Sequence, residues 1–415
     1  MVSGCEPAVG TYPGQVSVVW EQTQLPGEEA YASGTADFAS IPATDAALLL
    51  QLIQQGKVGA TTFPSLSIYF FPFTLNFNLA GAQKYTSNPI SVQPDFFTNV
   101  GVRQFFVNAY PYTTTASTIG TKDGIQYLFN YGGAIPQFMG QYYPTNVSFP
   151  NSDPSTSAST QGTAAWWWSQ ISTSSSPWYD SELASCSSAN PCQVPFFGET
   201  GAPDVDQRLA LWASEVSSLS GGALKMNVLD IDFVDLVINS LYSGPGQNAM
   251  PFYTLGWAPD YPDPTDYMVP LYQPDGSYTH ADALTEQLEG APAYGTGPYN
   301  QTSCTASHPY TDYGYWSSQA SIVGGITNGC QGTAYASMSY AQTVAAHMPD
   351  GPARQLVYNM IENIGNALAL YVYYGQANVV LSYAPWINGA SYNTNVAIGG
   401  GGDSTWYSIT GNGVS

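Results

Sequence analysis

The spacing of apolar and polar residues predicts strands and helices in alternation. Between Thr61 and Leu79, β-branched and aromatic residues alternate with small or polar ones, which predicts one or two buried strands. A run from Tyr371 to Ser382 predicts another strand, and residues 227–233 alternate in the same way. Strands separated by helical segments indicate an α/β architecture with mixed or parallel sheets.

Helical spacing of the apolar residues is found in four segments, residues 44–56, 100–110, 204–219 and 352–370. The first of these begins with Thr44 and Asp45, which are candidate N-caps, and ends near Gly56. Residues 148–177 are rich in Ser and Thr and are interrupted by three consecutive tryptophans. This composition predicts a long surface loop.

Length and charge exclude several classes of protein. The chain has 415 residues, more than one compact domain usually contains, which predicts two lobes or domains. It has 7 Lys and Arg against 29 Asp and Glu, a net charge of −22. So few basic residues cannot neutralise a phosphate backbone, which excludes nucleic-acid binding. The apolar fraction of 44% excludes disorder, and no uninterrupted apolar run reaches the roughly 18 residues of a membrane-spanning helix.

The small number of charged residues suggests an adaptation to acidic surroundings. Charged residues make up only 9% of the chain, whereas soluble domains average about 25%. Ser, Thr, Asn, Gln, Tyr and Gly supply the polarity instead, and such a surface keeps its character when carboxylates protonate near their reference pKa of about 4. With few paired carboxylates, little stability is lost to acid. We therefore hypothesise an extracellular protein from an acidic habitat.

The five cysteines are consistent with an oxidising location. Cys186 and Cys192 enclose a short loop, and a second pair, Cys304 and Cys330, brackets a segment rich in Gly and Tyr. The simplest arrangement is two disulfides with Cys5 left over. Buried free thiols are the alternative, because cysteine packs readily as a small apolar residue.

Two further patterns concern modification and metal binding. Asn146-Val-Ser and Asn300-Gln-Thr are acceptor tripeptides for N-glycosylation. The three histidines stand apart from the cysteines, so that no zinc-binding spacing is present. Asp230 and Asp232 could bind calcium together with the acidic residues near position 260, but they lack EF-hand spacing and are interpreted as solvated turns. No metal or other cofactor is expected.

The segment from Leu255 to Tyr272, LGWAPDYPDPTDYMVPLY, carries the most informative side chains. Pro259, Pro262 and Pro264 exclude a helix interior and a central strand, which predicts a stiff loop. The loop carries an indole, a phenol and three carboxylates: Trp257, Tyr261, Asp260, Asp263 and Asp266. A stiff loop of this kind loses little entropy when it binds a ligand. The alternative is a rigid surface turn whose aspartates cap backbone amides.

This segment also resembles the signature loop of a known family. GWAPDYPDPTDY is similar to the loop of the extracellular solute-binding proteins of ABC importers, in the peptide and nickel type called family 5. Four other segments resemble the family in the same order: YASGTADFASIP, FTLNFNL with the following Asn88-Pro and Val102-Arg103-Gln104, LWASEVSSLSGGALKMNV, and LYVYYGQANVVLSYAPWINGASYNTN. The resemblance covers nearly the whole chain.

The resemblance implies an α/β fold of two lobes, the periplasmic-binding-protein-like (type II) clamp with mixed sheets flanked by helices. Lobe I would comprise residues 1–104, lobe II residues 105–373 with the GWAPDYPDP loop, and residues 374–415 would return to lobe I. The lobes of such proteins close on a ligand by hinge motion.

The resemblance also implies a function and a site. The chain would be an extracellular or cell-surface binding protein that captures oligopeptides for an ABC importer. Its partners would be the peptide or another small-molecule ligand and the permease subunits, and it would meet the membrane only through the permease or an anchor outside this chain. Asp260 would pair with the free amino group of the peptide, and Trp257 and Tyr261 would line the pocket.

The sequence departs from the family pattern in two places. Phe105 stands where the family has a small residue, and Pro111 ends the helix early, so that packing where the lobes cross is expected to differ. Few residues precede Gly34, whereas the family has part of lobe I and a small subdomain there. The chain is therefore expected to lack an N-terminal part.

The sequence bears on three other functions. An oligosaccharide receptor of the same family would suit the aromatic content of 14%, because sugars stack on Trp and Tyr rings. A surface-layer or filament component could use Trp166, Trp167 and Trp168 as a subunit contact, although an anchor tucked into the protein is the simpler interpretation. An enzyme is not expected, because there is no Gly-X-Ser-X-Gly elbow and because Asp260 and Asp263, on one stiff loop, rarely face each other across a substrate.

Overall fold

A computed structural model of the chain describes residues 25–39, 41, 43–144, 149–158, 160–273, 276–284, 342, 345–388 and 408–409. Five residues singled out in the sequence lie outside these ranges: Cys5, Asn146, Asn300, Cys304 and Cys330. The second disulfide and the two glycosylation sites therefore stay predictions.

The largest sheet has five strands. Strand β2 (Gly59–Pro72) pairs with β9 (Tyr371–Tyr383) on one side and with β8 (Leu255–Trp257) on the other. The short strands β1 (Phe38–Ala39) and β5 (Leu128–Phe129) both pair with β9. All of these pairs are antiparallel. The strand predicted near the C-terminus is thus confirmed, and the earlier apolar run forms one strand rather than two.

The pairing of β2 with β9 is irregular, and the sequence explains the first of its two register shifts. The register shifts between Pro64 and Ile68, and again between Tyr69 and Phe70. Proline has no N–H to donate to the ladder, so a strand that contains it often bulges there. The strand ends at Pro72, well before Leu79, where the sequence pattern placed its limit.

A parallel βαβ unit lies in the middle of the chain. It consists of β6 (Cys192–Glu199), helix α7 (Pro203–Leu219) and β7 (Leu224–Ile231). Parallel strands need a crossover connection, and α7 provides it while burying Trp212. The helix predicted for residues 204–219 is confirmed.

The strand predicted at residues 227–233 differs from the observed one at both ends. It begins earlier, and it ends at Ile231 because Asp232 caps helix α8 (Phe233–Asn239). The Asp232 carboxylate accepts a hydrogen bond of 2.9 Å from the Val234 N–H. Asp232 thus caps a helix, while Asp230 is an exposed residue within β7.

The remaining helices are α1 (Leu25–Ala32), α2 (Ala46–Gln54), α3 (Leu79–Ala82), α4 (Val100–Ala109), α5 (Tyr112–Thr118), α6 (Ala164–Ser172), α9 (Thr265–Tyr272), α10 (Ser277–Ala281) and α11 (Pro352–Leu368). Short 3-10 segments span Ala43–Asp45, Gln83–Tyr85, Phe96–Thr98, Gln137–Tyr142 (kinked at Gly140) and Leu183–Ser185. Two-stranded antiparallel pairs are formed by β3 (Thr121–Lys122) with β4 (Ile125–Gln126) and by β10 (Ile387–Asn388) with β11 (Ser408–Ile409). The helices predicted at 44–56, 100–110 and 352–370 are confirmed with slightly shorter bounds.

Aromatic side chains connect the βαβ unit to the main sheet. The Trp212 ring of α7 lies 5.2 Å from Phe71 of β2 and 4.9 Å from Phe252, centroid to centroid. Its indole N–H donates a hydrogen bond of 3.2 Å to the Phe106 carbonyl in α4. Three elements that are distant in sequence therefore meet around one tryptophan.

The predicted surface loop at residues 148–177 is wrong in its central part, which forms α6. Thr163 caps this helix by accepting a hydrogen bond from the Trp166 N–H, and Trp167 is completely buried. Trp166 and Trp168 are half-buried. The Ser- and Thr-rich flanks therefore enclose an amphipathic helix that the composition did not predict. Its tryptophans pack into the protein, in agreement with their interpretation as an anchor.

Cys186 and Cys192 form a disulfide, which closes a loop ahead of β6. We expect the double variant Cys186→Ser/Cys192→Ser to lose about 2 kcal/mol of unfolding free energy, because the crosslink restricts a short loop in the unfolded chain. Urea unfolding of parent and variant under oxidising conditions measures the difference. Identical midpoints would contradict a stabilising role.

The main sheet contains strands from all three segments into which the lobes were predicted to divide the chain, residues 1–104, 105–373 and 374–415. Strand β2 lies in residues 1–104 and β8 in 105–373, while β9 crosses the predicted boundary at 373/374. The lobe boundaries stay a prediction.

Candidate ligand-binding site

The candidate site is built on β8, on the proline-rich loop that follows it (residues 258–264) and on α9. Strand β8 occupies the edge of the main sheet, where Trp257 pairs with Ile68 and Gly256 with Tyr69. The prediction of a loop from Leu255 to Tyr272 is therefore corrected at both ends. The reason is local: the prolines exclude regular structure only near themselves, so that the residues before Pro259 form a strand and those after Pro264 form a helix.

Asp266 acts inside the loop and not towards a ligand. Its carboxylate is buried and accepts a hydrogen bond of 2.7 Å from the Asp260 N–H. Burial raises the pKa of Asp266, although this hydrogen bond and the approach of the Trp257 indole N–H oppose the shift. The indole N–H does not reach hydrogen-bonding geometry. Asp266 therefore fixes the backbone at the start of the loop.

Asp263 is neutralised within the protein. Both of its oxygens lie 2.8 Å from Nη2 of Arg354, and its Oδ1 also accepts hydrogen bonds from the N–H and the hydroxyl of Thr265. Burial alone would raise the pKa of Asp263, but the hydrogen bonds from Thr265 and Arg354 outweigh it and lower the pKa. A carboxylate with these partners cannot anchor a ligand.

Asp260 is the carboxylate that remains. Its side chain is exposed, and in the described part of the chain it has neither a hydrogen bond nor an ion pair. Tyr261 follows it with 48% of its surface exposed. The structure therefore presents Asp260 and Tyr261 side by side to solvent.

Trp257 is less accessible than the sequence suggested. It is half-buried, its ring lies edge-on to Tyr278 at 6.3 Å, and its indole nitrogen is buried. A ligand could meet the exposed part of its ring but not its N–H group. Trp257 is the last residue of β8, directly before the loop, and its contact with a ligand stays a prediction.

Tyr69 was missed by the sequence reasoning. Its ring lies directly over Gly256, where an added Cβ would come within 2.8 Å of the Tyr69 ring and of the Ile68 carbonyl. The glycine before Trp257 is therefore required by the close approach of β2. Tyr69 is 37% exposed and stacks on Tyr374 at 6.0 Å.

A further carboxylate lies near this aromatic pair. Burial, and then the nearby Glu199 carboxylate, raises the pKa of Tyr69. Glu199 ends β6, and its own pKa is raised by burial and then by Asp232. The signal for Tyr69 was present in the sequence: Leu66, Ile68 and Phe70 point inward, so the residues between them point outward.

Other candidate features do not add to this site. A crevice with an empty volume of about 280 Å³ is lined by residues of α4, α5, α11 and β9 with Phe149, and none of residues 255–266 lines it. Within the described residues, no His, Cys, Asp and Glu side chains are grouped as metal ligands. In the same part of the chain, no helix is both long and apolar enough to cross a membrane.

Sequence comparison does not identify relatives, since neither a protein-family model nor a curated protein matches the chain. Solved structures do match its fold. The ABC transporter substrate-binding protein CtaP from Listeria monocytogenes has a TM-score of 0.60 at 12% identity, over 94% of this chain and 59% of its own. The oligopeptide-binding protein AppA from Bacillus subtilis, in complex with a nonapeptide, has a TM-score of 0.55 at 12% identity, over 94% and 59%.

A third neighbour holds a different ligand. NikA from Staphylococcus aureus, in complex with Ni(L-His)2, has a TM-score of 0.51 at 8% identity, over 87% of this chain and 55% of its own. The chain thus spans less than two thirds of the length of these structures. They are solute-binding proteins rather than enzymes, as expected for this chain. The resemblance found in the sequence is confirmed at the level of fold: the chain has the two-lobed α/β fold of the substrate-binding proteins of ABC transporters.

Proposed function

We propose that this chain binds peptides for an ABC importer and that Asp260 holds the free amino group of the bound peptide. The proposal is supported by the different partners of Asp260, Asp263 and Asp266. Asp263 is paired with Arg354 and Asp266 with the loop backbone, so only Asp260 keeps its charge available. A carboxylate–ammonium pair becomes strong when a closing cleft removes it from water.

The surroundings of Asp260 are suited to a peptide backbone. Tyr261 and Tyr69 expose aromatic surface near the loop, and aromatic rings bind with little loss of side-chain freedom. Backbone contacts would give affinity without selecting particular side chains. The stiff loop lowers the entropy lost when the ligand binds.

The substitution Asp260→Asn tests the amino-group contact. We expect it to weaken binding of free-amine peptides by about 2–5 kcal/mol, because it leaves the ammonium group without a partner in the closed cleft. The measurement is retention of a random library of tri- to nonapeptides by the immobilised protein, read by mass spectrometry. The same library with acetylated amino termini should bind the parent poorly and should not distinguish the two proteins.

The matched control is Asp235→Asn, which removes an exposed carboxylate of α8 and should leave retention unchanged. Equal retention of free-amine peptides by Asp260→Asn and by the parent would refute the role of Asp260. Retention of neutral oligosaccharides that is insensitive to Asp260→Asn would instead support the sugar-receptor alternative, which the exposed Tyr69 and Tyr261 rings favour.

We further propose an extracellular site of action at low pH. Eight carboxyl groups of the described residues have shifted pKa values, and seven are raised: Asp180, Glu182, Glu199, Asp206, Asp266, Asp282 and Glu362. Burial is the main cause in each case, and it favours the protonated form. Such a protein binds protons on folding, which supports stability in acid.

A further inference from the structure

The strongest unassigned feature is the environment of Arg354, in the first turn of α11. Its side chain is only 6% exposed, and its N–H donors are all directed at protein groups. Nε donates to the Ala345 carbonyl at 2.9 Å, Nη1 to Tyr142 and Asp350, and Nη2 to Tyr358 and Asp263. The rings of Tyr142 and Tyr358 lie 5.0 and 5.4 Å from its carbon Cζ.

These contacts join three separate parts of the chain. Asp263 belongs to the proline-rich loop, Tyr142 to the 3-10 turn Gln137–Tyr142, and Arg354 itself to α11. The loop also has its own bonds, since the Asp263 N–H donates to the Tyr261 carbonyl and the Thr265 N–H to Oδ1 of Asp263. The side chain of Asp263 thus ties the loop to α11 and, through Arg354, to the 3-10 segment of Tyr142, in addition to the bond from the Asp260 N–H to Asp266 of α9.

We propose that Arg354 positions the proline-rich loop for ligand binding by holding Asp263, without touching the ligand itself. The assignment rests on the proposed function of Asp260. Arg354 has five N–H donors and all five are engaged, so that none is left for a ligand carboxylate. Arg354 can therefore affect ligand binding only indirectly, by fixing the conformation of the loop.

Only arginine satisfies this geometry. Its planar guanidinium serves partners in several directions and lies against aromatic rings, whereas a lysine ammonium has three donors and no plane. Asp263 and Asp350 carry the two negative charges beside it, and Tyr142 and Tyr358 supply the neutral hydroxyl groups. Because the pKa of Asp263 is lowered, the ion pair is lost only when the pH falls below the usual Asp range near about 4.

Hydrogen–deuterium exchange of the unliganded protein tests the assignment directly. In Arg354→Met and in Asp263→Asn, we expect the amides of residues 258–266 to exchange at least about tenfold faster, while the strands of the main sheet, β8 included, keep their rates. Asp263→Asn is the second variant because Asp263 is 29% exposed, which makes its replacement milder for folding. Arg354→Lys should behave like Arg354→Met.

The matched comparison is Asp350→Asn, which removes the other carboxylate from the same guanidinium. Asp350 is 72% exposed and does not belong to the loop, so the loop amides should change by less than about twofold. Equal effects of Asp350→Asn and Asp263→Asn, or unchanged loop exchange in both Arg354 variants, would overturn the assignment. A uniform rise over the whole chain would also overturn it, since it would show a general structural role.

Peptide binding gives the second readout. With the free-amine peptide library, Asp263→Asn should reduce retention about tenfold although Asp263 makes no ligand contact, and it should add little to Asp260→Asn in the double variant. If the parent retains no peptide, the proposed function fails, while the exchange experiment still decides whether Arg354 holds the loop. If peptides bind and Asp263→Asn retains them normally, the positioning role is wrong.

Discussion

Raising the pH from about 4 to about 8 is expected to destabilise the folded protein by on the order of 5 kcal/mol for each of two buried carboxyl groups, Glu362 and Asp282. Burial raises the pKa of each to about 8. The folded protein therefore keeps both protons in a pH range where the unfolded chain has lost them. The stabilisation that these two protonated groups contribute is complete below about pH 4 and is lost as the pH rises towards 8, which is opposite to ordinary acid denaturation.

The surroundings of Glu362 explain why its carboxyl group resists ionisation. Oε1 accepts a hydrogen bond of 2.7 Å from the Ile135 N–H, while Oε2 is buried without a hydrogen bond. The titratable groups near it are phenols, Tyr131, Tyr272 and Tyr373, whose own pKa values are raised well above 10. No cation is supplied by these neighbours, so that the neutral acid is the favoured form.

Asp282 has more hydrogen bonds, but they reach only one of its oxygens. Oδ1 accepts from Thr74, Asn248 and Tyr253 at 3.0–3.1 Å, and these bonds oppose the effect of burial. Oδ2 is buried and has no hydrogen bond. The raised pKa therefore reflects burial, which the hydrogen bonds to one oxygen do not offset.

The test is chemical unfolding of the parent, Glu362→Gln and Asp282→Asn between pH 3 and pH 8. Each variant should lose about 1.4 kcal/mol per pH unit of the parent's pH dependence, because an amide does not titrate. Glu29→Gln changes an exposed carboxyl group of α1 and should keep the parental slope. A parent that is most stable near pH 7 and unfolds between pH 5 and pH 3 would refute both the sign and the acidic habitat.

Trp212→Ala is expected to cost about 3–5 kcal/mol, because it empties the aromatic cluster that joins α7 to β2 and α4. The side chain is completely buried, and its ring also contacts Tyr110, Phe196 and Phe252. Its removal further leaves the Phe106 carbonyl without the indole donor. Such a loss is a large part of the 5–15 kcal/mol that typically stabilises a folded protein.

Two variants separate packing from the hydrogen bond. Trp212→Phe keeps most of the ring contacts and should lose about 1–3 kcal/mol, mainly for the carbonyl left without its donor. Trp168→Ala, at a half-buried position of α6, should cost less than Trp212→Ala. Denaturant unfolding measures the loss of unfolding free energy in the three variants. Equal losses for Trp168→Ala and Trp212→Ala would show that the cluster around Trp212 stabilises the protein no more than a half-buried tryptophan does.

The elements that the sequence predicted correctly share strong local patterns. The strand β9 and the helix α7 have long local patterns, so that each could be predicted without knowing which distant segment it contacts. Helix α6 was missed because its Ser- and Thr-rich flanks dominate the composition, although its own spacing buries Trp167. Strand β8 was missed because only pairing with Ile68 and Tyr69, far away in the sequence, makes it a strand.

The candidate site was predictable in its location and not in the roles of its residues. The motif placed Trp257, Asp260 and Tyr261 together, but three aspartates in one loop look alike in a sequence. What distinguishes Asp263 is Arg354, which lies in another helix and is brought near only by the fold. The exposure of Tyr69 followed from alternation along β2, yet its position over Gly256 required the strand pairing.

The position of β2 in the main sheet has a consequence for how the chain is made. Both neighbours of β2 are synthesised hundreds of residues after it, so a nascent chain must carry an apolar strand with two open edges until β8 and then β9 emerge. Folding that waits for such remote segments is slow and exposed to aggregation.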